Sequence, residues 1–549
     1  MSNYVYFDLE CDGLDPSVIW CVVCKYKETS TVICNATDFI AYKTSMPKAT
    51  WVGHNVIGFD VPVLERLWGV VFDRETVLDT LVLSRLADPS RSGGHSLRNW
   101  GNTLGFPKGD HNDWSQLSSE MIDYCMQDVD VTEAVHKHLM GDLDGFSDVS
   151  IDLEHRVSWI INEQQRNGWL LNFRYASELM AEMLQRQKEI ENELQAVFPP
   201  IVEERWSEKT GKRLKDKVTV FNPASRQQVA ERLLSKGAVW NDVTPSGRPQ
   251  VDESTLKPLQ HIPEAALVLE YLTLQKRSSM VKSWLEHADP VTDRVHGRVN
   301  PCGAVTGRMT HQSPNMAQIT ARGVYGAESR SCWIVPKGKK LVGFDASGLE
   351  LRMLAHYMGD EEYTNEILNG DIHTTNQTAA GLSERSQAKT FIYAFLYGAG
   401  DAKIGSVVGG SAKDGRALKQ RFLRNTPALE YLRERVTRAC SRGHLIGLDG
   451  RKLWVRSEHS ALNTLLQASG AVVMKKALVL LDDAAKELGF DYKFLGNIHD
   501  EIQTEVDEQQ AEDFGKLAVS CIVQAGQQFG LRCPLDGEYK IGDNWSETH

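Results

Sequence analysis

At 549 residues the chain is too long for one hydrophobic core, and two to four domains are expected. Its 42% hydrophobic and 24% charged residues are ordinary globular composition, which excludes a disordered or fibrous chain, and no run of 18 apolar residues predicts a membrane span. The net charge of −12 by itself argues against a nucleic-acid partner, yet it averages over the whole surface, and a local basic groove and a cluster of metal-binding carboxylates can share one acidic chain.

The N-terminus MSNYVYFDLECDGL has no basic region followed by an apolar core. No secretory signal is therefore read, a cytoplasmic location is expected, and the ten scattered cysteines are expected to be reduced. Cys21 and Cys24 form a C-x-x-C, but inside an apolar VIWCVVC run without a second pair, so they read as buried strand thiols. YVYFDLE and SVIWCVVCKY read as strands, and DVPVLERLWGV and SEMIDYCMQDVDVTEAVHKHL as helices, so the first 140 residues or so form an α/β domain. Asp8 and Glu10 are two apart on the first strand and share a face, where they repel unless a cation sits between them. Asp60 stands just before a helix start, where it could equally be an N-cap. Tyr124 and Asp128 are four apart on one helix face. Four acids and a tyrosine suit two-metal hydrolysis of a phosphodiester, with Tyr124 orienting the attacking water.

GDLDGFSDVS, residues 141–150, reads as a domain boundary. Residues 152–198 read as long, charge-laced helix, and the charged segment 203–217 as a solvated loop. Beyond residue 290 the pattern is mixed α and β and holds most of the other polar clusters.

Three of those clusters follow residue 340. KLVGF reads as a strand ending at Asp345, before a helix that carries Glu350; Asp345 suits a metal or a helix N-cap. Arg385, Lys389, Tyr393 and Tyr397 are spaced by four and form one slanted helical stripe. Such a stripe either packs on a neighbouring domain or presents two fixed cations to a triphosphate, with His373 as a further phosphate contact. GNIHDEIQTEV reads as strand, tight turn and strand, with His499 and Asp500 at the tip. Asp345 and Asp500 then sit on separate strands and can share a metal pair.

The joint order of Asp8, Glu10, Asp60, Tyr124 and Asp128 resembles the tyrosine-containing branch of the DEDD 3′–5′ exonucleases, and Asn55 matches the asparagine of the second motif. The three later clusters resemble motifs A, B and C of family A DNA polymerases. DASGLELR, AKTFIYAFLYGAG, VTGR and KIGDNWSETH carry a resemblance to the replicative polymerases of T-seven-type short-tailed phages over nearly the whole chain. It implies α/β plus α+β architecture: an RNase H-like 3′–5′ exonuclease domain (1–145), then a right-hand polymerase with thumb and connecting helices (146–290), palm (291–355 and 469–549) and fingers (356–468).

The implied function is template-directed addition of dNMPs to a primer, with proofreading, in phage genome replication. Each active site is implied to hold two Mg²⁺ ions, for which Mn²⁺ can substitute. The ligands are Asp345, Asp500 and the carbonyl of Ala346 in one site, and Asp8, Glu10, Asp60 and Asp128 in the other. His373, Arg385 and Lys389 are implied to bind the dNTP, with Lys389 also protonating pyrophosphate. Tyr393 occupies the family's tyrosine-or-phenylalanine position and is expected to pair with Glu350, the steric gate against a 2′-hydroxyl. Arg308, Tyr397, Gly398, Gln467 and His499 are implied to contact primer-template DNA, while Glu501 is either a metal modulator or a dispensable exposed acid. A replicative helicase or primase is a further implied partner. Between Asp128 and Asp345 only about 20 residues, 200–220, are free at the thumb tip, which argues against a thioredoxin-binding insertion of the T-seven type.

Overall fold

The computed structural model describes residues 3–107, 109–240 and 242–548; His549, the last residue of the terminal motif, lies outside them. Alternating apolar residues build a five-stranded sheet at the N-terminus, centred on Tyr4–Cys11. Ile19–Tyr26 and then Thr29–Ile33 flank it antiparallel on one side, and Thr50–Gly53 and then Val77–Asp79 parallel on the other, the order of an RNase H-like sheet. Phe7, Phe39, Trp51 and Phe72 pack on one face. The other face holds Val23, Val52 and Val129 of the helix Ser119–Asp142. Cys24 lies in the first cluster and Cys21 in the second, so the C-x-x-C thiols point to opposite faces and cannot close on one metal.

The helix Asp148–Asn167 leaves this sheet and packs on the strand Tyr492–Ile498 and the helix Glu458–Glu487. The continuous helix expected over 152–198 is interrupted. Gly168 adopts φ 62, and Trp169–Leu171 forms a short strand between Arg294–Val295 and Trp333–Ile334. Trp169 and Leu171 are buried there, and Asn172 caps the helix that resumes at Phe173–Val197. The expected loop at 203–217 is also corrected. Ile201–Trp206 and Arg213–Thr219 pair as a hairpin, closed by the Ser207 N–H donating to Lys212 O and laced by the Lys217–Glu203 ion pair at 3.0 Å. Its sequence shows no alternation because both faces are solvated.

The C-terminal half is built on a four-stranded antiparallel sheet in the order Tyr492–Ile498, Glu501–Asp507, Lys339–Ala346, Gly537–Gly542. The helix Ala511–Gln528 covers it, and the helix Glu458–Glu487 packs on that helix. Phe344, Ile502, Val506, Met474 and Phe514 are among the core residues, each contributing about 1.5–3 kcal/mol by burial. By length and composition Glu458–Glu487 could cross a membrane, but 78% of its apolar window is buried inside the protein.

One buried ion cluster ties these parts together. Glu154 of the helix Asp148–Asn167 accepts from Lys475 Nζ at 2.6 and 2.8 Å and lies 2.7 Å from Arg451 Nη1. Arg451 in turn donates to Asp449 at 2.9 Å through Nε and 2.6 Å through Nη2. Despite complete burial, the two cations hold the Glu154 carboxyl below its usual range. Glu154→Ala leaves two buried cations short of a partner and is expected to cost about 3–5 kcal/mol. The readout is the urea midpoint, which must fall; an unchanged midpoint would show the cluster to be energetically idle.

Candidate active sites

The N-terminal cleft, about 1040 Å³ in volume, is lined by Asp8, Glu10, Asp60, Tyr124 and Asp128. The sheet and two helices converge on it, and Glu10, Asp60 and Asp128 are buried. Asp60 is not a helix cap: the helix Asp60–Trp68 begins with it and is capped by Phe59, and Asp60 Oδ1 accepts from Leu9 N at 3.2 Å. Donor atoms of Asp8, Glu10 and Cys125 lie within 4.8 Å of one another. A hydrogen bond with Cys21, burial, and the Asp8 and Glu10 charges push the Cys125 thiol well above its usual range. Cys125 Sγ donates to Asp8 O at 3.4 Å, which leaves carboxylate oxygens as the metal donors. That donor set fits hard divalent cations such as Mg²⁺ or Mn²⁺. Asn55 lines the same cleft at φ 64.

The second site lies at one end of the C-terminal sheet. The strand register pairs Asp345 with Glu501, which sets Asp345 and Asp500 at adjacent strand ends. Neither is buried, and His499 turns the hairpin tip at φ 61. Asp345 is not a helix cap either, since Gly348 holds that position before Leu349–Met358. Two carboxylates beside a strand-end carbonyl, that of Ala346, again fit hard cations.

The helix Arg385–Leu396 carries the expected stripe, with Tyr397 at its C-cap. Arg385, Lys389 and Tyr397 are exposed, so the stripe is not buried against a neighbouring domain. Arg385 donates to Asp371 at 2.6 and 3.0 Å, a partner the sequence did not disclose. Asp371 also caps the helix that begins with Ile372 and His373. The His373 and Tyr393 rings are 6.4 Å apart, and Tyr393 and Tyr397 6.3 Å.

The expected pairing of Tyr393 with Glu350 is corrected: Tyr397 Oη donates to Glu350 Oε2 at 2.7 Å. Arg308 Nη2 lies 3.3 Å from the other oxygen, so Arg308 fixes Glu350. Although the Tyr397 ring is half exposed, desolvation of its hydroxyl and the Glu350 contact push that hydroxyl far above its usual range, so it stays a donor. Gly398 sits at φ 75 with its would-be Cβ 2.7 Å from His459 O, so any side chain there meets backbone. Gln467 is half-buried on the helix Glu458–Glu487.

Glu501 is not the exposed hairpin acid that was expected. It is buried, and it accepts from Trp545 Nε1 at 2.6 Å and from Gln503 Nε2 at 2.7 Å. Arg330, stacked 4.4 Å from the Trp545 ring, lies 3.7 Å from it. Sequence reasoning missed Trp545, Gln503 and Arg330; the only sign was a tryptophan in the terminal KIGDNWSETH.

A four-stranded antiparallel sheet with two carboxylates at adjacent strand ends, together with a helix carrying cations and tyrosines, is the arrangement found in right-hand nucleic-acid polymerases. The chain belongs to DNA polymerase family A, whose profile matches residues 188–547. It is 34% identical to the DNA-directed DNA polymerase of Enterobacteria phage T3, covering 93% of this chain and 95% of that one. Identity to the DNA-directed DNA polymerase of Escherichia phage T7 is 33%, covering 99% of both. In fold it matches the POL domain of Pol1 from M. smegmatis, solved in complex with DNA primer-template and dNTP, at TM-score 0.83 and 18% identity over 100% of this chain and 97% of that one. This protein is a DNA-directed DNA polymerase.

Proposed function

We propose that this polymerase extends primer-template DNA at Asp345 and Asp500 and edits the 3′ end in the Asp8–Asp128 cleft. Residues 1–145 serve as the 3′–5′ exonuclease, 146–290 as thumb and connecting helices, 291–355 with 469–549 as palm, and 356–468 as fingers. One observation carries the polymerising site: the register that sets Asp345 and Asp500 at adjacent strand ends. The separate carboxylate cleft supports the editing one.

Mg²⁺ is the cofactor this reading favours, with Mn²⁺ as substitute; bound at either site, such ions lower the pKa of the attacking hydroxyl or water and neutralise the leaving group. In the palm, Asp345, Asp500 and the Ala346 carbonyl hold them. Arg385 and Lys389 contact the triphosphate with His373, and Lys389 delivers a proton to the leaving pyrophosphate. Arg385 reaches the nucleotide by exchanging Asp371 for phosphate oxygens. Arg308, Gln467 and His499 contact the primer-template, and Tyr397 and Gly398 lie beside the templating base. In the cleft, Asp8, Glu10, Asp60 and Asp128 hold the ions and Tyr124 orients the water.

Glu350 is the sugar gate, held in place by Tyr397 and Arg308. Glu350→Ala is expected to raise rNTP incorporation relative to dNTP roughly tenfold or more, because the site then has room for a 2′-hydroxyl. Single-nucleotide kinetics with each nucleotide pair read this out, and unchanged sugar selectivity would refute the gate.

The phage relatives support a role in phage genome replication; a replicative helicase or primase as partner and the host cytoplasm as location are the further parts of this proposal. The short hairpin at 201–219 argues against a large thioredoxin-binding insertion there. Extension length on a primed single strand, with and without added thioredoxin, tests this reading. No extension by the purified chain would sink the polymerising assignment, and thioredoxin-dependent lengthening the reading without thioredoxin.

A further inference from the structure

Asp79 belongs to neither set of implied metal ligands, yet its carboxylate organises the cleft. It is buried at the end of the strand Val77–Asp79 and accepts from three backbone N–H groups: Asn55 at 2.8 Å, Ile57 at 3.0 Å and Leu81 at 2.9 Å. Two of those donors belong to the loop that leads into Asp60. Within the loop, Gly58 N and Phe59 N both donate to Asn55 O at 3.0 Å, and Asn55 takes the left-handed conformation at φ 64, so the Asp79 carboxylate holds the residue on which the loop turns.

The restraint continues into the rest of the protein. Asp79 N donates to His155 Nε2 at 3.0 Å, while His155 Nδ1 is 2.8 Å from Ile151 O. A carbonyl can only accept, so Nδ1 carries the proton and Nε2 is the free acceptor. Asn162, on the same helix Asp148–Asn167, donates to Ile57 O at 2.5 Å. Ile57 is therefore gripped at its N–H by Asp79 and at its carbonyl by Asn162.

We propose that Asp79 is a positioning residue for the exonuclease site, fixing the 55–60 loop so that Asp60 meets Asp8 and Glu10, and that His155 sets Asp79 from the polymerase side. This rests on the editing function proposed for the cleft. Buried partners that orient metal ligands typically change metal affinity or activity about 10–100-fold when altered.

The experiment compares wild type with Asp79→Asn, His155→Leu and His155→Gln. It measures single-strand 3′ excision against Mg²⁺ concentration, and primer extension on the same preparations. Asp79→Asn keeps the volume but turns an NH₂ toward a backbone N–H. It is expected to cut excision about tenfold or more and to raise the Mg²⁺ needed for half-maximal rate, with extension within about twofold of wild type. His155→Leu should shift both readouts in the same direction, and His155→Gln, which restores an acceptor, should recover them. Unchanged excision and Mg²⁺ dependence in Asp79→Asn would overturn the assignment while leaving the exonuclease intact. Equal loss of extension and excision would mark a folding defect and also overturn it. Wild-type protein without any excision would remove the editing function and this inference together.

Discussion

Asp345→Asn is expected to abolish primer extension, with a fall on the order of 10³-fold or more, while 3′ excision stays near wild type. The reasoning is electrostatic rather than structural. Asp345 is exposed at a strand end, so the isosteric amide removes no packing. What it removes is one of two negative charges that the register sets side by side with Asp500. Asp500→Asn should give the same loss. The double variant should be scarcely worse than either single one, because ligands of one metal pair act as a unit. Extension and excision rates from one preparation check this. Residual extension above a few per cent would move the catalytic ions away from Asp345.

Asp8→Ala combined with Glu10→Ala carries the second large effect: excision should disappear while extension survives. Both residues lie on the strand Tyr4–Cys11, and their donor atoms fall within 4.8 Å together with Cys125. With them gone, Asp60 and Asp128 hold too few oxygens for a metal pair. Extension should persist because the C-terminal four-stranded sheet is built from residues beyond 338, and the buried residues of its core come from there and from the helix Asp148–Asn167. Gel-resolved shortening of a labelled single strand reports excision. Loss of both activities would show that the substitutions unfold the chain rather than disarm one site.

What could be read in advance follows the physics of each element. The strand at Lys339–Ala346 and the hairpin around His499 and Asp500 were legible because apolar runs flank the acids and two residues suffice for the turn. The spacing of Arg385, Lys389, Tyr393 and Tyr397 gave a helix face directly. Long-range partners were not legible. Glu501 looked exposed because Trp545, the group that buries it, is 44 residues away in sequence. Arg385 looked like a free cation because Asp371 lies on another helix. The strand Trp169–Leu171 was lost inside a helical pattern, since three residues give no periodicity. The tertiary contact that makes it a strand comes from Trp333 and Val295.

A 5′-labelled primer with a mismatched 3′ nucleotide, annealed to template and followed in time with Mg²⁺ and all four dNTPs, brings both sites into one lane. Two separate carboxylate sites acting in turn predict a product one nucleotide shorter that appears first and then gives way to full-length DNA. Direct extension of the mismatched end, or a primer never shortened in the absence of dNTPs, would contradict an editing site in the Asp8–Asp128 cleft.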